Sequence, residues 1–153
     1  MDFSFIFENE EYKTMTVIEY LKKEIDNVKS YSEEFVIKRS CEEKSLEQII
    51  QENKNKPMAK LSFQDENSSI EHHYGCLKAD FANKFLGGGA LMTGCVQEEI
   101  MFANHPELFT TQLLCEVMKP NESIFLLGFK KYFSNSGYGY TAAYDGLETH
   151  DYS

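Results

Sequence analysis

Three consecutive glycines at Gly87–Gly89 limit how this chain can fold more than any other feature. Glycine loses the most backbone freedom on folding and packs no side chain, so such a triplet is poor in a helix or strand interior. It suits a loop where main chain comes close to something or takes positive φ. The run Cys76-Leu77-Lys78-Ala79-Asp80-Phe81 reads as a strand leading into that loop, and residues 96–103 read as a helix opening at the acidic pair Glu98 and Glu99. Residues 80–99 therefore gather a carboxylate (Asp80), a carboxamide (Asn83), the glycine triplet and two further carboxylates. Paired carboxylates are what glycosidic bond cleavage uses, and a glycine backbone lets a phosphate-bearing sugar come close, so the set is compatible with that chemistry.

The chain has 153 residues, 42% hydrophobic and 14% aromatic, which suits one folded domain with a core rather than a disordered segment. Its net charge of −10 argues against holding duplex nucleic acid by phosphate neutralisation, which rests on clustered Lys and Arg. Cys41, Cys76, Cys95 and Cys115 are widely spaced, with no CxxC and no His at ligand spacing. Free thiols in a reducing compartment are expected, and no metal or other cofactor. The N-terminus lacks a basic n-region, and no apolar run approaches the ~18 residues of a membrane span. The expectation is a soluble intracellular protein, nuclear or cytoplasmic, with no membrane partner.

Thr16 followed by Glu19 fits a capping box, and Val17, Ile18, Leu21, Ile25 and Val28 recur at helical spacing. A helix is predicted over 16–29, with Lys22, Lys23, Asp26 and Asn27 on its polar face. Residues 34–38 are a strand candidate. Ser45 with Gln48 caps a second helix carrying Leu46, Ile49 and Ile50, ended between Asn53 and Pro57. Residues 59–63 alternate with period two. Pro106 opens another helix whose buried stripe is Leu108, Phe109, Leu113, Leu114 and Val117. Residues 123–129 form a continuous apolar run, as in a strand covered on both faces. Strands alternating with helices predict an α/β structure around a largely parallel or mixed sheet. No terminal element is predicted over 140–153.

Adjacent helical residues point about 100° apart, so one of Glu98 and Glu99 can touch a hydroxyl while the other reaches a bond. A helix N-terminus favours the ionised form, whereas a general acid needs its pKa raised by burial or by a neighbouring carboxylate such as Glu98 or Asp80. Taken alone, the acidic pair is ordinary first-turn helix usage.

Its surroundings make it more than that. Gly87-Gly88-Gly89 followed by Gln97-Glu98-Glu99, with Asp80-Phe81-Ala82-Asn83 before and Ile100, Phe102, Pro106, Glu107 and Leu108 after, resembles the signature of poly(ADP-ribose) glycohydrolases. The likeness extends to Gly137-Tyr138 and, across a shorter loop, back to Ile70-Glu71. It implies hydrolysis of the ribose–ribose O-glycosidic bond, mainly from chain ends, without a metal or other cofactor. In that reading Glu99 is the acid/base and Glu98 binds ribose hydroxyls. Asp80 and Asn83 contact and position the site, and Gln97 belongs to the same signature as a substrate-binding residue. The Gly87–Gly89 backbone wraps the terminal ADP-ribose, Tyr138 lies against the substrate, and Ile70 with Glu71 forms the adenine pocket. The implied partners are poly(ADP-ribose), ADP-ribose and poly(ADP-ribosyl)ated proteins.

The family's catalytic domain is a macrodomain-like α/β sandwich behind a helical accessory region. The resemblance implies that residues 1–30 are a remnant of that region and 31–153 the N-terminal part of the catalytic domain, a partial macrodomain-like mixed sheet flanked by helices and truncated at both ends. No second glycine-rich loop follows Tyr138. The alternative is a truncated, inactive ADP-ribose-binding or interaction domain. Other candidates have plain readings: Tyr132, Tyr140 and Tyr144 as strand-face aromatics, His72-His73 as a solvated turn, Lys84 as a surface lysine or phosphate contact, and His105 and His150 with no place in a mechanism.

Overall fold

A computed structural model describes residues 11–27, 34–66, 68–73 and 75–148. Val28, His150 and the first ten residues of the expected N-terminal segment lie outside them, as do the side chains of Asp26, Asn27 and His72.

Helix α1 spans Glu11–Asn27 and so starts before the expected Thr16 cap. Thr16 lies within it, fully buried, and its hydroxyl donates to the Lys13 carbonyl at 2.8 Å. The expected stripe is corrected too: Leu21 and Ile25 are exposed, whereas Tyr12, Lys13 and Thr16 are buried. Burial falls on the first turns because these are held against the helix carrying the acidic pair, with the Tyr12 hydroxyl donating to Asn104 Oδ1 at 2.7 Å.

Strand β1 (Val36–Cys41) pairs antiparallel with β2 (Glu122–Leu127), with Val36 opposite Leu127 and Cys41 opposite Glu122. Between them come α2 (Leu46–Asn53), a 3-10 turn at Ile70–His72, α3 (Gln97–Asn104), a 3-10 turn at Pro106–Thr110 and α4 (Thr111–Leu114). Pro106 sits at the first position of its turn, where a missing N–H costs nothing. The stripe expected after it is half right: Leu108 is buried and Phe109 packs on the core, but Leu113, Leu114 and Val117 are exposed, and Thr111 is the residue that goes inside. Strands β3 (Phe133–Ser136) and β4 (Ala143–Leu147) pair antiparallel across a 3-10 turn at Gly139–Thr141, giving a terminal element where none was expected.

The mix of helices and strands agrees with an α/β class, but among the described residues the strands form two separate two-stranded antiparallel sheets in place of the predicted parallel or mixed sheet. Residues 59–63 and 76–81 form no strand. Leu61, Phe63, Leu77 and Phe81 are exposed, and an alternating pattern makes a strand only when a neighbour takes its backbone groups and one of its faces. Strand β2 is partly exposed along its length rather than covered on both faces. Among the described residues, two small cores are formed. Tyr12, Cys95, Ile100 and Ala103 meet Ala142 and Tyr144, while Ala90, Phe102 and Leu108 meet Leu86, Phe109, Leu126 and Phe129. Both draw on α3, which is why that helix is the fixed point of the structure.

Candidate active site

Helix α3 has Val96 at its N-cap, which offers no side-chain acceptor for the free N–H groups of the first turn. Glu99 substitutes from within: its Oε2 accepts the Val96 N–H at 3.0 Å, and its Oε1 accepts the Gly89 N–H at 2.9 Å. Glu98 turns the other way. Its Oε1 accepts the Gly87 N–H at 2.5 Å and its Oε2 the Asn83 N–H at 3.1 Å. Glu98 is 4% and Glu99 7% exposed, so two adjacent carboxylates are buried with four backbone donors between them. The angular separation of neighbouring helical residues therefore aims the pair at different parts of one turn.

The glycines make that possible. Gly88 has φ +48°, and a Cβ there would stand 2.6 Å from Glu99 Oε1 and 2.7 Å from Glu98 Oε2. Gly94, at the far end of the loop, is equally confined, since an added Cβ would meet the same Glu99 oxygen at 2.8 Å. Asn83 does two things: its N–H goes to Glu98, and its Oδ1 accepts the Phe85 N–H at 3.2 Å, turning the chain toward the triplet.

Asp80 is the third carboxylate. Both of its oxygens are buried and, among the described residues, have no hydrogen-bond partner. Burial first, then the negative charges of Glu98 and Glu99, push its pKa up to about 7. Burial also raises Glu98, against the pull of its Asn83 and Gly87 hydrogen bonds. The segment on either side of Asp80 is gripped by Gln97, whose Oε1 accepts the Phe81 N–H at 3.0 Å and whose Nε2 donates to the Ala79 carbonyl at 3.3 Å. Tyr138 closes the arrangement at the helix start, its hydroxyl accepting the Gln97 N–H at 3.0 Å while the residue as a whole is 58% exposed.

Asp80, Asn83, Gly87–Gly89, Gln97, Glu98, Glu99 and Tyr138 are thus brought together. Ile70 and Glu71 stand in a separate turn, where Ser69 pairs with Glu71 and Lys78 Nζ donates to the Glu71 carbonyl at 3.1 Å, tying that turn to the chain just before Asp80. The remaining aromatics fall differently from expectation. Tyr144 lies in β4, but Tyr140 sits on the 3-10 turn, exposed, and Tyr132 is buried with its hydroxyl donating to Glu107 Oε1 at 2.7 Å. His105 is held neutral by burial, its pKa depressed to about 4.

One participant escapes a reading by motif. Lys13 of α1, 2% exposed, donates to the carbonyls of Met92 at 2.6 Å, of Gly89 at 3.5 Å and of Gly94. Only its place on the buried side of α1, beside Tyr12 and Thr16, distinguishes it from the exposed Lys22 and Lys23. Among the described residues no group of three His, Cys, Asp or Glu side chains is arranged to hold a metal ion, and no helix is long and apolar enough to cross a membrane. All four cysteines are free thiols.

A family model for poly(ADP-ribose) glycohydrolases, of macro domain fold, matches residues 46–152. The chain is similar to poly(ADP-ribose) glycohydrolase 1 of Caenorhabditis elegans, 42% identical over 95 residues that make up 62% of this chain and 12% of that protein. It is 44% identical to poly(ADP-ribose) glycohydrolase 1 of Arabidopsis thaliana over 70 residues, 46% of this chain and 13% of that protein. A second Caenorhabditis elegans relative, poly(ADP-ribose) glycohydrolase 2, is 43% identical over 76 residues, 50% of this chain and 16% of its own length. The matched stretch is thus less than a fifth of each of these relatives.

Proposed function

The chain belongs to the poly(ADP-ribose) glycohydrolase family, and from that premise we propose that the corner between Gly87–Gly89 and the start of α3 binds the terminal ADP-ribose of poly(ADP-ribose) and hydrolyses its ribose–ribose O-glycosidic bond. The observation that carries this reading is the pair of buried adjacent carboxylates, each oriented by its own two backbone N–H groups. Cleaving an acetal passes through a transition state with oxocarbenium character, which gains from nearby carboxylate charge and from protonation of the leaving oxygen. Glu99 protonates the leaving ribose oxygen and, once ionised, takes a proton from the attacking water. Glu98 accepts hydrogen bonds from ribose hydroxyls and holds the sugar still.

Asp80 adds a charge brake. With its pKa near 7, it carries a proton for part of the time at neutral pH and so keeps three crowded carboxylates from being fully ionised together. Gln97 and Asn83 set the positions of Asp80 and Glu98. The ring of the half-exposed Tyr138 offers a stacking face, and the glycine backbone allows the diphosphate close approach. Ile70 and Glu71 line the adenine end.

The test is free ADP-ribose released from poly(ADP-ribose), with Glu99→Gln as control. Release by the wild type that falls at least about 100-fold in the variant supports the reading. Equal background release from both, with ADP-ribose still bound, makes this chain a binding domain and not a hydrolase.

A further inference from the structure

We propose that Lys13 is a positioning residue for this site: its buried ammonium fixes the loop between Gly89 and Gly94 and thereby aims the Glu99 carboxylate. The inference rests on the hydrolase reading for its consequence but on separate contacts for its geometry. Lysine is almost never fully buried unless its charge is met, because desolvating an ammonium is expensive. Among the groups that meet it here are carbonyls of one loop, those of Gly89, Met92 and Gly94. That loop is already tightly wound, with the N–H groups of Met92 and Gly94 both donating to the Gly89 carbonyl, at 2.8 and 3.3 Å.

Two of the three residues that grip the ammonium touch Glu99 on their other side. Gly89 donates its N–H to Glu99 Oε1 at 2.9 Å, and Gly94 lies so close that a Cβ would stand 2.9 Å from Glu99 Cδ. Lys13 therefore sits one residue's width behind the carboxylate it positions, without touching substrate. The helix it belongs to has its own fastening to α3 through Tyr12 and Asn104, so the lysine is not needed merely to dock α1. A neutral side chain of the same length would leave three converging carbonyl dipoles facing an apolar group, and the loop would move to find other donors. Any such movement carries the Gly89 N–H away from Glu99, and small displacements of a reacting group are costly to turnover.

The experiment compares the full chain with Lys13→Met and Lys13→Arg, reading turnover of poly(ADP-ribose), KM, and amide hydrogen exchange by residue. Lys13→Met is expected to lower kcat at least about tenfold with KM within about threefold, and Lys13→Arg to recover part of the loss. Exchange should rise over 87–96 while residues 100–104 stay protected. Unchanged kcat, or exchange that rises equally through α3, overturns the proposal. If Lys13→Met does not fold, Lys13→Gln, which keeps a donor but no charge, decides it: a rise confined to 87–96 supports the fastening and no rise refutes it. Should the wild type release no ADP-ribose, the hydrolase reading fails by itself, and the exchange pattern still decides whether Lys13 holds the loop.

Discussion

Helices α2 and α3 are both eight residues long, yet one lies on the surface and the other is the centre of the molecule. Helix α2 has a complete capping box, with the Gln48 N–H donating to Ser45 Oγ at 3.3 Å and the Ser45 N–H to Gln48 Oε1 at 2.8 Å, but none of its residues is buried. Helix α3 begins on a valine whose side chain cannot accept a hydrogen bond, and still buries Glu98, Glu99, Ile100, Phe102, Ala103 and Asn104. A cap decides where a helix starts; what the preceding loop delivers decides whether it goes inside. For α3 that loop supplies backbone donors to the two carboxylates of the first turn, and two acids can be buried because glycine lets the main chain come to them.

The largest effect expected from this contrast is at the glycines. Gly88→Ala forces a left-handed residue, at about 1–2 kcal/mol, and drives a methyl group into both carboxylates, so turnover should fall at least about 100-fold. Gly75→Ala carries a similar positive φ of +69° but has nothing within 4 Å of the added Cβ, so it should lose stability alone. If kinetics and thermal unfolding give the two variants the same profile, the carboxylates are not what makes Gly88 necessary.

Next in size is the pH dependence of the buried acid. Raising Asp80 from 3.8 to about 7 means that the folded state keeps a proton the unfolded chain has already lost. Stability of the wild type should therefore drop as pH climbs through that window. Asp80→Asn removes this term, so its melting temperature should match the wild type near pH 4 and exceed it most above pH 7. The opposite contribution of His105, whose neutral buried ring favours the fold as pH rises from about 4 to 6.5, is present in both proteins and cancels. A pH-independent difference would remove the argument for a desolvated Asp80.

Smaller again is Tyr138→Phe, which deletes the acceptor of the Gln97 N–H at the uncapped helix start and should cost about 1 kcal/mol in unfolding free energy. The ring is kept, so ADP-ribose affinity measured by calorimetry should hold. Tyr138→Ala should also lose stacking, about 1–3 kcal/mol of affinity. Ser45→Ala is the mildest: about 1 kcal/mol of local helix stability, read from faster amide exchange over 46–49, and no change in turnover.

The parts of the fold legible in the sequence were those set by local chemistry. The Ser45–Gln48 box, Pro106 at the head of its turn, the apolar run at 123–129 and the helix at the acidic pair all form close to their expected positions. Burial was not legible. Leu21, Ile25, Leu113 and Leu114 sit at correct helical spacing and face outward, while Lys13, Thr16 and Thr111 go inside, because hydrogen bonds that periodicity cannot register offset polar burial: Lys13 donates to distant carbonyls, and the Thr16 and Thr111 hydroxyls donate to the carbonyls of Lys13 and Leu108, three residues back. The strand pattern at 59–63 failed for a related reason, since pairing is settled by a partner elsewhere in the chain. The residues named through the motif, Asp80, Asn83, Gly87–Gly89, Gln97, Glu98, Glu99 and Tyr138, are neighbours in the structure, and Lys13 is outside that list because its partners are main-chain atoms far away in sequence.

The central claim is that Glu98 and Glu99, held by separate N–H pairs, do separate work. It is tested most directly by measuring kcat on poly(ADP-ribose) and Kd for ADP-ribose in Glu98→Gln and Glu99→Gln side by side. The account predicts that Glu99→Gln abolishes turnover with Kd close to wild type, and that Glu98→Gln weakens ADP-ribose binding as well as turnover. Identical losses of binding and turnover in the two variants, or turnover that survives in Glu99→Gln, would contradict it.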